Sequence, residues 1–309
     1  MRFGKGHGTQ NDFVILPDPG GALDLPPGLV ARLCDRRAGI GGDGVLRVVR
    51  TAALPPGTVA PVPPAPAQGA APPAEWFMDY RNADGSVAEM CGNGIRVFAR
   101  YLLGHGLAAG PEIRIETRAG TRLVREEPGG QLTVDMGAPA VLGRGRALAG
   151  GFSCDGLRIS LGNPHLACVV DVPLGKLDLS GPPSVDPALF PEGANVEFVR
   201  VTGGRRAEMR VHERGSGETR SCGTGAVAAA VAAAEATGER GGAWHVRVPG
   251  GDLTVTLDGA TSLLTGPAVI VAEGDLSPAW LAGLPFPAAR SAGRKGSRCS
   301  GSAGPGRIR

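Results

Sequence analysis

The sequence predicts an α+β fold of two pseudo-symmetric lobes, each a mixed or antiparallel curled sheet around a central helix. Three observations predict it. First, "GSVAEMCGNGIRVFAR" at 85–100 and "GETRSCGTGAVAAAVA" at 217–232 each set a cysteine in a glycine turn before an apolar run. Second, a shift of 131 residues lays Cys91 on Cys222, Gly92 on Gly223 and Gly94 on Gly225, and also Asn82 on Glu213, Ile115 on Val246 and Gly120 on Gly251. Third, the same shift overlays "IRIETRAGTRLV" on "HVRVPGGDLTVT", two strand-turn-strand patterns of alternating branched residues. A repeat of this length within one chain reads as duplicated halves.

Taken along the chain, the first copy opens with "NDFVILPD" at Asn11, whose counterpart "NPHLACVVD" begins at Asn163, now 152 residues on. The surplus over 131 is close to the length of a segment unique to the first copy. That segment, 51–74, holds eight prolines and no charge, and reads as an extended surface insertion. The helix candidates are 94–106 and 225–238; the second is apolar nearly all round, as expected of a helix enclosed by sheet. The reading divides the chain into an N-terminal α+β lobe, 1–136, a C-terminal α+β lobe, 137–266, and a disordered basic tail, 284–309.

Composition narrows the function classes. The 309 residues with 42% hydrophobic content suffice for a sizeable core. Residues 290–309 hold six basic side chains and no acid, so the net charge of +3 becomes −3 for the rest of the chain, and no nucleic-acid footprint is expected. No apolar run is long enough for a membrane span. Six cysteines without CxxC spacing argue against a disulfide scaffold or a zinc site and for a reducing cytoplasm with free thiols.

A cysteine delivered to the start of a helix meets free backbone N–H groups and the positive end of the helix dipole. The thiol pKa is then expected to fall below its reference of about 8.5, and the neighbouring glycines let a small carboxylate approach the backbone. If the duplicated halves bring Cys91 and Cys222 to one cleft, two sulfurs flank a single carbon. One removes the proton alpha to the carboxylate and the other returns a proton to the opposite face. Such a reaction requires no cofactor and no metal. Cys34, Cys154 and Cys168 read as small core residues instead.

The motifs "GHGTQNDFVILPD" (6–18), "RNADGSVAEMCGNGIR" (81–96), "GNPH" (162–165), "GANVEF" (193–198), "ERGSGETRSCGTGA" (213–226) and "TGPAVIV" (265–271) resemble those of the diaminopimelate epimerases in family order. The resemblance implies cofactor-independent interconversion of LL- and meso-2,6-diaminopimelate in lysine and peptidoglycan precursor synthesis. It implies Cys222 as proton acceptor and Cys91 as proton donor in the LL-to-meso direction. Gly92, Asn93, Gly223 and Thr224 would hold the alpha-carboxylate, while Asn11, Asn82, Asn163, Asn195 and Arg214 would bind the amino-acid ends. Glu213 would accept from the substrate ammonium and, with His165, tune the thiols. It further implies a homodimer, and a last strand near 267–275 that returns to the first lobe. Two positions depart from the pattern: Gly44 stands where many members have glutamine, and Thr224 stands for serine. A proline racemase-type enzyme shares the two-thiol logic, but the asparagine set with Arg214 offers more polar recognition than a single-ended substrate needs. A pyridoxal phosphate racemase needs a Schiff-base lysine, and this chain has three lysines: Lys295 lies in the tail and Lys176 in a loop, which leaves Lys5 in "GKGHG". A non-catalytic redox or metal-binding module is weakened by the missing CxxC.

Overall fold

The computed structural model describes residues 1–58, 74–239 and 241–283; most of the insertion and the whole basic tail lie outside the described residues. The first half runs β1 (Arg2–Gly8), β2 (Asn11–Pro17), α1 (Pro27–Cys34), β3 (Gly44–Arg50), β4 (Trp76–Asn82), α2 (Gly92–Gly104), β5 (Glu112–Thr117), β6 (Gly120–Glu126) and β7 (Leu132–Asp135). Then come β8 (Ala140–Ala149), β9 (Phe152–Ser160), β10 (Pro164–Val169), β11 (Ser184–Val185), β12 (Asn195–Val201), β13 (Arg206–Glu213) and β14 (Gly217–Thr219). The chain continues through α3 (Gly223–Thr237), β15 (Gly242–Val248), β16 (Gly251–Leu257), β17 (Ser262–Gly266), β18 (Val269–Asp275) and α4 (Pro278–Ala282).

Hydrogen bonding orders these strands into two matching runs. One is β18-β1-β2-β3-β4-β5-β6-β7, the other β8-β9-β10-β12-β13-β15-β16-β17. In each, the third and fourth strands pair parallel, as do the fifth and sixth; every other neighbour is antiparallel. The duplication therefore survives in the strand order itself. The runs meet where β7 pairs antiparallel with β17, with Thr133 Oγ1 and Thr265 Oγ1 2.8 Å apart. The repeat predicted as strand-turn-strand is β5–β6 and β15–β16, and the tight turn into β6 needs Gly120 at φ +88°.

Each run encloses one helix. In α3, Gly223 through Ala230 are all buried. Its alanines combine the highest helix propensity with side chains small enough to let strands close on every side. Gly238 stops it in the left-handed conformation at φ 71°. α2 carries larger buried groups, Ile95, Val97, Phe98 and Leu102, and a single apolar core runs from Phe13 and Phe98 of the first half to Trp244 and Val255 of the second.

The first half also carries the insertion and a buried ionic cluster. The insertion leaves from the β3–β4 connection, where Thr51 Oγ1 donates to the Ala74 carbonyl at 2.6 Å and Thr51 N to that of Glu75 at 2.9 Å. β3 and β4 pair Arg50 with Trp76 at this end and Gly44 with Asn82 at the other, so the insertion departs about 20 Å from Asn82 along the strands. On the same strands the buried Asp79 carboxylate meets Arg118 at 2.7 Å, Arg81 at 2.9 Å and Arg47 at 3.4 Å. Burial alone would raise this carboxyl; the hydrogen bonds and charges of Arg81 and Arg118 outweigh it and hold the group below the usual carboxylate range.

A folded-state pKa below the unfolded one contributes stability that is present above about pH 4 and lost as pH falls towards the folded value. Asp79→Asn strands buried guanidinium charge and is expected to destabilise the fold by about 3–5 kcal/mol near neutrality. Urea unfolding at pH 7 and pH 3 checks both points, since the difference between variant and parent should shrink at the lower pH.

Candidate active site

Each glycine turn makes its cysteine the residue that caps the following helix. Cys91 (φ −138°, ψ 120°) precedes α2 and Cys222 (φ −128°, ψ 123°) precedes α3, both in the extended conformation of an N-cap. Their sulfurs take the place of the usual capping oxygen. Cys91 Sγ accepts from Gly94 N at 3.3 Å and Cys222 Sγ from Gly225 N at 3.4 Å. A Cβ on Gly225 would lie 2.8 Å from Glu197 Oε1, so something there would have to shift, and one on Gly94 would press on Leu46 Cδ2 at 3.3 Å.

The two caps abut. A Cβ on Gly223 would lie 2.9 Å from Gly92 Cα and 3.1 Å from Asn93 N. Two positive helix ends thus converge on one spot, with orphan N–H groups left over for an anion. Cys91 and Cys222 are both free thiols and line one cleft. Asn11, Asn82, Gly92, Asn163, Asn195, Glu213, Arg214, Gly223 and Thr224 line it with them.

Asn93 and His165 do not; both lie fully buried behind the cleft wall. The Asn93 amide nitrogen reaches Asn11 Oδ1, Ser221 O and Ser221 Oγ, each at 3.2 Å, and its oxygen accepts from Arg96 Nη2 at 2.9 Å. Its side chain therefore ties the two caps together and is not free to hold a carboxylate; the backbone of the turn remains for that. His165 sits between Glu197 Oε1, 2.7 Å from Nδ1, and Asn163 Oδ1, 3.0 Å from Nε2. Both ring nitrogens face acceptors in this arrangement.

The asparagines arrive in the cleft already anchored. Asn11 Nδ2 donates to Asp43 Oδ2 at 2.7 Å, which turns its oxygen toward Cys91 Sγ at 3.7 Å. Asn195 spends its amide on the Pro164 carbonyl and its oxygen on Arg214 N, and Asn82 donates to Ser86 Oγ. Arg214 Nη1 rests 3.3 Å from Glu192 on the exposed rim. At Gly44, a Cβ would meet Tyr80 Cε2 at 2.7 Å and Arg81 O at 2.5 Å. The Tyr80 ring, which lines the cleft, takes the space a larger residue would need. Asp43, Glu197, Arg96, Ser221 and Tyr80 are the neighbours that sequence reasoning missed. Asp43 and Glu197 stand inside the stretches "GIGGDG" and "GANVEF", where an acid among small or apolar residues was the available signal.

The thiols depart from expectation in one respect. Burial pushes the Cys91 thiol up to about 11 and the nearby Glu213 adds to it, while Gly94 N–H and Arg96 pull the other way. Cys222 is likewise raised well above its ordinary value, by burial first and then by Glu213 and Glu197, against the pull of Thr224 and Gly225. The helix ends do lower both thiols, as expected of capping cysteines, but desolvation outweighs them. Burial raises Glu213 as well, and its hydrogen bonds to Thr219 and Cys222 offset only part of this. Cys34, Cys154 and Cys168 are buried in other apolar clusters. Among the described residues no group of three or more His, Cys, Asp or Glu side chains is placed to hold a metal ion.

Gly223→Ala should press the two caps apart. We expect kcat/KM for whatever reaction the cleft performs to fall about 100-fold, the cost of a displacement near 1 Å at a reacting centre, while stability drops by only about 1–3 kcal/mol. Paired kinetics and urea melts separate the two effects.

Known proteins resemble this chain in sequence and in fold. The family model for diaminopimelate epimerase matches residues 3–142 and 158–271. A diaminopimelate epimerase of Thermobifida fusca is 59% identical over 279 residues, covering 89% of this chain and 98% of its own. One of Mycolicibacterium smegmatis is 51% identical, covering 91% and 98%. Among solved structures, a phenazine biosynthesis protein of the PhzF family from Bacillus anthracis aligns with a TM-score of 0.63 at 16% identity, over 90% of this chain and 99% of that one. A probable proline racemase from Agrobacterium radiobacter aligns with 0.61 at 16% identity, over 90% and 93%. These distant structures share the fold. With its own two capping cysteines in one cleft and relatives matched along nearly their full length, the chain belongs to the diaminopimelate epimerase family.

Proposed function

We propose that this protein interconverts LL-2,6-diaminopimelate and meso-diaminopimelate by a two-thiol mechanism that uses no cofactor. The observation that carries the reading is the pair of cysteine caps on abutting helix starts, both opening into one cleft. A carboxylate placed over the free N–H groups of the Gly92 and Gly223 turns brings its alpha carbon between the sulfurs. In the LL-to-meso direction Cys222, as thiolate, takes the alpha proton; Cys91, as thiol, gives its own to the opposite face. The electron pair left on carbon spreads onto the carboxylate, where two helix ends stabilise it. Glu213 accepts from the substrate ammonium, and Arg214 is suited to the carboxylate at the far amino-acid end.

We further propose that 1–136, completed by the strand at 267–275, and 137–266 act as the two lobes that bound this cleft. The product serves lysine and peptidoglycan precursor synthesis, and free catalytic thiols suit a reducing cytoplasm. No helix among the described residues is long and apolar enough to cross a membrane. We also propose a homodimer. β18 pairs on one side with β1 and exposes Val269 and Val271, an edge that a second copy would cover. Light scattering on the purified chain tests this: a mass of one chain at micromolar concentration overturns it.

The central test is incubation with LL-diaminopimelate in D2O without added cofactor. Meso product should appear with deuterium at the alpha carbon, and proline and glutamate should remain unlabelled; turnover of proline in preference would point to the proline racemase type. Cys91→Ala and Cys222→Ala should each lose epimerisation by at least 1,000-fold, because one sulfur cannot serve both faces; this is about the scale of losing a general acid or base. Normal turnover by either variant overturns the mechanism.

A further inference from the structure

The two halves match in backbone and differ in charge around the two caps. The parallel pairs set Phe13 opposite Gly44 and His165 opposite Asn195. Leu46 of the first half therefore stands where Glu197 stands in the second, and Phe13 where His165 stands. The glycines after the caps agree independently: the side-chain atom nearest a Cβ on Gly94 belongs, outside its own turn, to Leu46, and on Gly225 to Glu197. The 131-residue shift puts Val227 in place of Arg96. Behind Cys222 there is a buried carboxylate; behind Cys91 there is a leucine and a buried guanidinium.

Arg96 is fully buried. It donates to the Gly92 carbonyl at 3.2 Å and to Asn93 Oδ1 at 2.9 Å, its Nε has no partner, and among the described residues no carboxylate forms an ion pair with it. A buried cation served only by neutral acceptors is costly unless an anion shares its surroundings. The ionisable group that interacts with it is Cys91. Glu197 has the complementary shortage: Oε1 meets His165, while Oε2 is buried without a partner.

We propose that Arg96 and Glu197 break the twofold symmetry of the site, so that of its two thiols Cys91 ionises first and carries the single negative charge. Every charged or titratable group facing the sulfurs enters this balance. Cys91 faces Arg96 of its own helix, Glu213 at the end of β13 and Tyr80 of β4. Cys222 faces Glu213, Glu197 and Tyr80, with His165 tempering Glu197 through their shared hydrogen bond. Burial raises both thiols; Glu213 opposes the ionisation of each, and Glu197 acts on Cys222 besides. The inference deepens the reading of these cysteines as acid and base. With the charge on Cys91, the empty enzyme is poised to take a proton from the meso isomer; LL substrate needs the form in which the charge has passed to Cys222 and a proton to Cys91.

The test is site-resolved alkylation of the full chain by iodoacetamide across pH, with Cys91 and Cys222 peptides quantified separately by mass. In the parent the half-rate pH of Cys91 should lie at least one unit below that of Cys222. Arg96→Gln should slow Cys91 labelling at pH 8 about tenfold or more and leave Cys222 nearly unchanged, since a change in access would move both. Arg96→Lys should retain the parent preference, and Glu197→Gln should speed Cys222 alone. Equal half-rate pH values, Cys222 ionising first, or a folded Arg96→Gln variant with parental Cys91 labelling each overturn the proposal. If Arg96→Gln does not fold, the parental order together with Arg96→Lys decides. Alkylation needs no substrate, so a failed D2O experiment would sink the epimerase reading and leave this result standing.

Discussion

The structure depends on holding two helix N-termini against each other. Like ends of two dipoles repel, and each brings unsatisfied N–H groups to the same small volume. Two things make the arrangement tenable. Gly223 keeps side-chain atoms out of the contact, where a single Cβ would come within 2.9 Å of Gly92 Cα. Asn93 then bridges the caps, joining Arg96 on one side to Ser221 on the other. What remains is concentrated positive potential facing a cleft, which a carboxylate satisfies.

The two sheets serve that contact. Their parallel joins place β2 beside β3 and β10 beside β12 in equivalent registers, and the start of each such pair delivers residues beside the helix caps. The β7–β17 seam locks the runs to one another at Thr133 and Thr265. The small residues of α3 let its sheet close around it, so the Cys222 cap lies deeper than the Cys91 cap. That depth has an electrostatic consequence: desolvation dominates both sulfurs and outweighs the helix ends.

Much of this was legible in the residues. Strands β5, β6, β15 and β16 announced themselves because branched side chains alternate and glycine marks each turn; the shift relating Cys91 to Cys222 exposed the duplication. The caps were legible as well, since a cysteine before Gly-x-Gly and an apolar run can be little else. Other features were not. Asn93 reads as a ligand of the carboxylate, yet its side chain points inward, because Arg96 holds its oxygen and Ser221, from an element remote in sequence, holds its nitrogen. Glu197 alternates in its strand like any half-buried acid, and only the pairing of β10 with β12 brings His165 to it.

Local chemistry, written in the order of residues, determined the type of each element, the glycines that permit close approach, and the pairing of the two capping cysteines by repetition. Tertiary structure alone decided how deeply each sulfur is buried, which charges stand behind it, and how far the second half departs electrostatically from the first. The physical reason is that backbone propensity and turn geometry act over a few neighbouring residues. Desolvation and Coulomb forces depend on distances that exist only once distant strands have paired.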